Sequence, residues 1–218
     1  MRALLLLTFV LAGSVEPVFA LPNSFVDKSL ERSNIIHIKA TKYDKDRFEG
    51  QSKIFIQELA DEAIAFLSAD LSIDKKKKKF ETLLNDKFDM RTIARFSMGR
   101  YFRLASDAQK KEYFSLFDDM IIDVYSKRFG EYTDEKLEVV SANYNGKNDA
   151  IVNTRIVPKS GAAISIDWRV RLKDNKYQIV DVVIEGISMA VTNRSEFASI
   201  IERGGGRVDA LIEHLKNR

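Results

Sequence analysis

Cysteine is absent from this chain of 218 residues. No disulfide can staple it and no lipid can be attached through a thiol, so buried apolar surface must hold the fold together. Histidine is almost as scarce: His37 sits in a polar N-terminal stretch and His214 near the far end. Neither has a nucleophile patterned beside it, and both read as surface residues rather than bases. The HExxH and CxxC patterns are missing, and no glycine-rich phosphate loop follows a strand. Gly204-Gly205-Gly206 follows a helical pattern instead and reads as a break between helices. A surplus of one charge is lacking too. With 35 Lys and Arg against 32 Asp and Glu, the net charge is +3, without the basic stripe of a nucleic-acid binder. Long hydrophobic runs are also missing: Leu4 to Gly13 is apolar, but a bilayer span needs about twenty such residues. Together these absences argue against a nucleophilic enzyme, a metal centre, a nucleic-acid partner and a membrane span.

What is present begins with a secretory leader. Arg2 supplies the positive end, Leu4 to Gly13 the apolar core, and Val18-Phe19-Ala20 the small residues of a cleavage site after Ala20. The expectation is an exported chain in three parts: residues 1–20 as signal peptide, 21–50 as a flexible polar extension, and 51–218 as one domain. Within the extension, Asn34 to Ile38 could form a short extended piece.

From Ser52 the apolar residues Phe55, Leu59, Ala63, Phe66 and Leu67 recur at helical steps. A second helix is expected over Asp74 to Asn85, with Phe80, Leu83 and Leu84 inward, and a short third over Phe88 to Met98. Ser106 and Gln109 form a capping box that opens the longest helix, Asp107 to Phe129, with Gly130 as its stop. The period then changes. Ile164, Ile166, Trp168, Val170 and Leu172 alternate with Ser165, Asp167, Arg169 and Arg171, as on a half-buried strand. Leu137 to Tyr144, Ala150 to Val157 and Tyr177 to Ile184 are further strands, joined by turns at Asn145-Gly146, Lys159-Ser160-Gly161 and Asp174-Asn175. Asn193 with Glu196 reads as the cap of another helix, and Val208, Leu211, Ile212 and Leu215 mark a last one. Helices, a meander, then helices make a single α+β domain.

Two segments carry a resemblance. The first is Gly99-Arg100-Tyr101-Phe102-Arg103-Leu104-Ala105-Ser106, followed by Gln109, Tyr113 and Phe117. The second is Val180 to Phe197, VDVVIEGISMAVTNRSEF: an apolar strand, a turn, then a helix start. In this order, behind a leader, they resemble the MlaC family, also called toluene-tolerance proteins, over Ser52 to Leu215. The resemblance implies a phospholipid-binding shuttle of the Gram-negative periplasm that carries lipid between inner and outer membranes and so maintains outer-membrane lipid asymmetry. It implies helices packed on a highly twisted four-stranded antiparallel sheet, related to the nuclear-transport-factor-2 cone and enclosing an apolar cavity. It also implies no enzyme activity and no cofactor, with phospholipid as cargo. The implied partners are an inner-membrane ABC transporter with a hexameric lipid-binding ring and an outer-membrane lipoprotein–porin complex. A monomer is expected.

The residues that this resemblance places around the acyl chains are Phe96, Met98, Tyr101, Phe102, Phe114, Phe117, Ile121, Tyr125, Trp168, Val170, Ile187, Met189, Phe197 and Ile201. Gly99, Gly186 and residues 204–206 are candidate hinges, and Arg100 and Arg103 could meet a phosphate or form ion pairs. The lysine run Lys75 to Lys79 reads either as a solvated helix face or as a weak docking patch for anionic head groups or an acidic partner. Other readings stay open on the residues: a carrier of hopanoids in the same superfamily, a cone-shaped enzyme using a buried acid such as Asp167 or Asp181, and a scaffold with a filled core.

Overall fold

The computed structural model describes residues 42–132, 135–146 and 148–218. The leader, its cleavage site, Asn34 to Ile38 and His37 lie outside the described residues. Helix α1 spans Lys42–Ser68, beginning well before the expected start at Ser52. The end of the expected flexible extension is therefore helical. Phe48 is buried there, its ring 5.5 Å from those of both Tyr144 and Tyr177, and the Glu49 carboxylate accepts the Tyr144 N–H at 2.7 Å. One apolar residue among charges shows no period; contacts distant in sequence make this turn helical.

Helix α2, Ile73–Lys87, is capped by Ser72, and α3, Met90–Met98, by Asp89, which accepts the Thr92 N–H at 3.0 Å. After a 3-10 turn over Gly99–Arg103, α4 spans Asp107–Ser126. Its capping box is reciprocal, Gln109 N–H donating to Ser106 Oγ at 3.2 Å and Ser106 N–H to Gln109 Oε1 at 2.9 Å. The helix stops short of its expected end at Phe129. A second 3-10 turn, Phe129–Glu131, instead drops the Phe129 ring into the core, 5.3 Å from Phe80 and 6.0 Å from Phe66.

The sheet has five antiparallel strands in sequential order, not the expected four: β1 Lys136–Tyr144, β2 Asp149–Val157, β3 Ile164–Lys173, β4 Lys176–Ile184 and β5 Ile187–Ser188. β5 pairs through Val183 with Ser188 and Ile184 with Ile187, too short for any alternation to announce it. The turn before it has φ of 49° at Glu185 and 80° at Gly186, a pattern that favours glycine at the second position.

Helix α5 is Met189–Arg203 and α6 is Val208–Lys216. Ser188, not Asn193, caps α5, accepting the Val191 N–H at 3.1 Å. Both are good capping residues, and the position of β5 selects the earlier one. Where α5 meets α6, a Cβ on Gly204 would lie 2.2 Å from the Ala210 Cβ, so close packing requires the glycine.

Three apolar clusters form. One joins α3, α4, α5 and α6 around Tyr113, Phe117, Phe197, Ile201 and Leu211. A second packs α1 on the sheet through Ile56, Leu59, Val152, Val170 and Ile179. A smaller third gathers Ile164, Ile166 and Ile184 at one end of the sheet. On the sheet's polar side, Asp149 accepts from Arg169 at 2.9 Å and Arg171 at 2.7 Å. Burial pushes the Asp149 carboxyl up, but hydrogen bonds from the two arginines outweigh it and hold the group below its ordinary range. Asp167, a candidate acid in the sequence, lies on the same side and accepts from Asn153 Nδ2 at 2.7 Å, while strand pairing brings Asp149 to the arginines.

Asp118 on α4 behaves in the opposite way. Burial, with help from Asp119 and Glu81 and against the pull of Arg91, lifts its carboxyl to about 6. The folded state therefore binds more protons than the unfolded chain between about pH 4 and about pH 6, and stability falls as pH rises through that window. Asp118→Asn removes the penalty. It is expected to stabilise the fold by about 1 kcal/mol at pH 7.5, after discounting for the group's partial exposure, and to give no gain at pH 4. Equal melting temperatures for both proteins at pH 7.5 would contradict this.

Candidate functional site

Between the three clusters lies a cavity of about 330 Å³. One wall is α1, through Leu59, Ala60, Ala63, Ile64 and Leu67; alanines at two of these positions leave space that larger side chains would fill. The opposite wall is the α4 stripe Phe117, Ile121 and Tyr125, spaced four residues apart so that they stack on one face. Phe80, Leu84, Phe88, Met90 and Ile93 of α2, α3 and their junction close one side. The sheet supplies Ile156, Ile164, Ile166, Trp168, Val182 and Ile184, and α5 supplies Met189, Ala190 and Asn193.

The register places much of the sheet's share of the lining together. Leu137 pairs with Ile156, Ile156 with Ile164, Ile166 with Ile184, and Ile184 with Ile187. All lie at one end of the sheet, where β1 and β3 begin and β2 and β4 finish. The cavity's polar lining, Tyr132, Glu135, Lys136, Asp181 and Asn193, also lies toward this end. Lys136 is exposed there and Asn193 half-buried.

The polar groups on the walls are held by their neighbours. The Trp168 indole N–H donates to Thr154 Oγ1 at 2.9 Å, and that hydroxyl donates to the Ile166 carbonyl at 3.0 Å, so the ring offers the cavity its apolar surface. Burial pushes the Tyr125 phenol up, which keeps it neutral. Asp181, a candidate acid in the sequence, accepts from Ser188 Oγ at 2.6 Å, Val182 N at 2.9 Å and Ala190 N at 3.1 Å. These bonds tie β4 to the start of α5, which is structural work. No grouping of His, Asp and Glu suited to a metal ion occurs among the described residues.

Of the residues expected around a lipid, Phe117, Ile121, Tyr125, Trp168 and Met189 line the cavity. The others stand elsewhere. Met98, Tyr101, Phe197 and Ile201 are buried in the helical core, and Val170 is fully buried where α1 packs on the sheet. Phe102 and Phe114 pair with each other at 5.7 Å beneath Arg95 and Arg91. Phe96 and Ile187 face outward. Arg100 reaches Glu202 at 2.8 Å rather than the cavity. The α1 wall and the isoleucines at the sheet end also line the cavity, outside the set that the sequence marks. Their periodicity reads equally well as filled core, and the small Ala60 and Ala63 were the available signal.

The sequence model of the family described as "MlaC protein" matches residues 57–217. The chain belongs to the MlaC family. Among curated MlaC relatives, the chain is similar to the intermembrane phospholipid transport system binding protein MlaC of Haemophilus influenzae, 24% identical over 123 residues, 55% of this chain and 56% of that protein. It is also similar to a toluene tolerance protein of Pseudomonas putida, 21% identical over 114 residues, 52% and 53% of the two chains. The matched segments thus span about half the length of these relatives. Among solved structures, a phospholipid-binding protein from Ralstonia solanacearum, in complex with a phospholipid, superposes with a TM-score of 0.67 at 19% identity, covering 76% of this chain and 94% of that one. That likeness bears out the α+β arrangement of helices on an antiparallel sheet.

Proposed function

We propose that the chain is a periplasmic phospholipid-binding carrier that shuttles lipid between inner- and outer-membrane complexes. The observation that carries the reading is the apolar cavity, walled almost wholly by aliphatic and aromatic side chains with its few polar groups toward one end. The names of the relatives and the lipid in the Ralstonia structure point the same way. A two-tailed phospholipid has about thirty methylenes, and exposing them to water would cost more than about 20 kcal/mol. A dry cavity removes that cost, while a head group left at the open end keeps its phosphate hydrated. Transfer from bilayer to protein can then be nearly neutral, and direction is left to the docking partners: an ABC transporter with a lipid-binding ring on one side, a lipoprotein–porin complex on the other.

Size adds a requirement. An apolar cavity of about 150 Å³ holds a benzene. On that scale about 330 Å³ takes about thirteen carbons, most of one tail and not two. A diacyl lipid therefore requires the walls to part or the remaining chain to extend past the mouth. The test is transfer between vesicles. Donor vesicles carry a phospholipid with a fluorescent tail, and the protein is expected to speed its arrival in acceptor vesicles in proportion to protein concentration. A protein that loads lipid yet never delivers it would be a store and not a shuttle.

A further inference from the structure

The lysine run has a place in the fold that the sequence does not reveal. Lys76 Nζ donates to the Leu67 carbonyl at 2.7 Å, and Leu67 lines the cavity. The run therefore stands beside the α1 wall, at the end of α1 remote from Phe48 and Tyr144. Lys77 leans toward Asp123 of α4 at 3.9 Å, a carboxylate already held by Lys127 at 2.7 Å. Lys75, Lys78 and Lys79 are exposed and have no carboxylate partner among the described residues. Only Asp70 and Asp74 offset the five lysines within this segment. At the first position of the same helix stands Ile73, 52% exposed.

We propose that the start of α2 is a membrane-docking edge, with Ile73 entering the interface of an anionic phospholipid bilayer and Lys75, Lys78 and Lys79 meeting its phosphates. Anionic lipid fits better than an acidic protein for two reasons. Several exposed lysines near an apolar anchor suit a fluid anionic surface, where each ammonium on its long stem can reach a phosphate. Protein interfaces, by contrast, are depleted in lysine and favour arginine, whose planar fork matches a carboxylate. Docked at this edge, the protein would bring the α1 wall of its cavity close to the bilayer from which a tail must come. That purpose rests on the carrier reading; the docking itself does not.

The experiment is flotation of the full mature chain with vesicles of phosphatidylcholine alone or doped with phosphatidylglycerol, and cavity lipid is extracted from the same samples. The wild-type protein is expected to float with the doped vesicles at low salt, to be released as salt rises, and to ignore pure phosphatidylcholine. Replacing Lys75, Lys78 and Lys79 together by Gln should weaken partitioning on the order of a hundredfold, at about fivefold per lysine. Ile73→Asn should weaken it by about tenfold. Circular dichroism confirms that each variant is folded. A wild-type chain that stays in solution, or folded variants that float as well as it does, would overturn the proposal. Lipid in the cavity without flotation removes the docking edge and leaves the carrier. Flotation with a cavity that never holds lipid keeps the docking edge and removes the carrier.

Discussion

Met189→Glu is expected to leave the protein folded and strip it of lipid. Met189 opens α5, is half-buried, and packs beside Ile164, Ile166 and Ile184 at the cavity's polar end. In the empty protein a glutamate there can turn its carboxylate to water. Once acyl chains fill the cavity that water is excluded, and the charge costs several kcal/mol, so bound lipid should fall well beyond tenfold. Val170→Glu is the control. Val170 is fully buried against α1, its carboxylate would have no route to solvent, and a cost of several kcal/mol is a large part of the about 5–15 kcal/mol that holds a domain together. That variant should fail to fold. Extracted lipid, measured beside circular dichroism, checks both. A loaded Met189→Glu, or a folded and loaded Val170→Glu, would show that wall and core have been exchanged in this account.

Phe117→Ala should have the largest effect on stability. The side chain is fully buried, with ring neighbours Tyr113 at 5.9 Å and Phe197 at 6.2 Å, and it also borders the cavity. Truncating a buried phenylalanine costs about 3–5 kcal/mol. At about 2–4 °C per kcal/mol for a domain of this size, the melting temperature should fall by about 10 °C. Lipid that binds only the native state should restore part of the loss, so the loaded variant should melt above the delipidated one. An unchanged melting temperature would remove Phe117 from its double position.

Much of the fold was legible because its signals are local. The Ser106–Gln109 box, the alternation from Ile164 to Leu172 and the α1 period each need only a few neighbours to be read. What escaped depends on contacts far apart in the chain. Helix α1 begins early because Glu49 and Phe48 meet Tyr144. β5 exists because a tight turn folds Ile187 and Ser188 back on β4. The site is harder to read for the same reason. Tyr113, Phe117, Ile121 and Tyr125 form one apolar stripe on α4, yet Tyr113 sits in closed core with its hydroxyl donating to the Ala94 carbonyl at 2.8 Å, while the next three face the cavity. Side-chain chemistry alone cannot separate a wall from a core; only the opposing surface can. Motif residues such as Tyr101 and Phe197 hold the helical core that supports the cavity rather than lining it.

The most direct test of the carrier account is native mass spectrometry of the mature protein, gently purified from a bacterial periplasm, with identification of whatever it releases. The account predicts one diacyl phospholipid per chain. A protein that arrives empty and then refuses phospholipid from vesicles would contradict it.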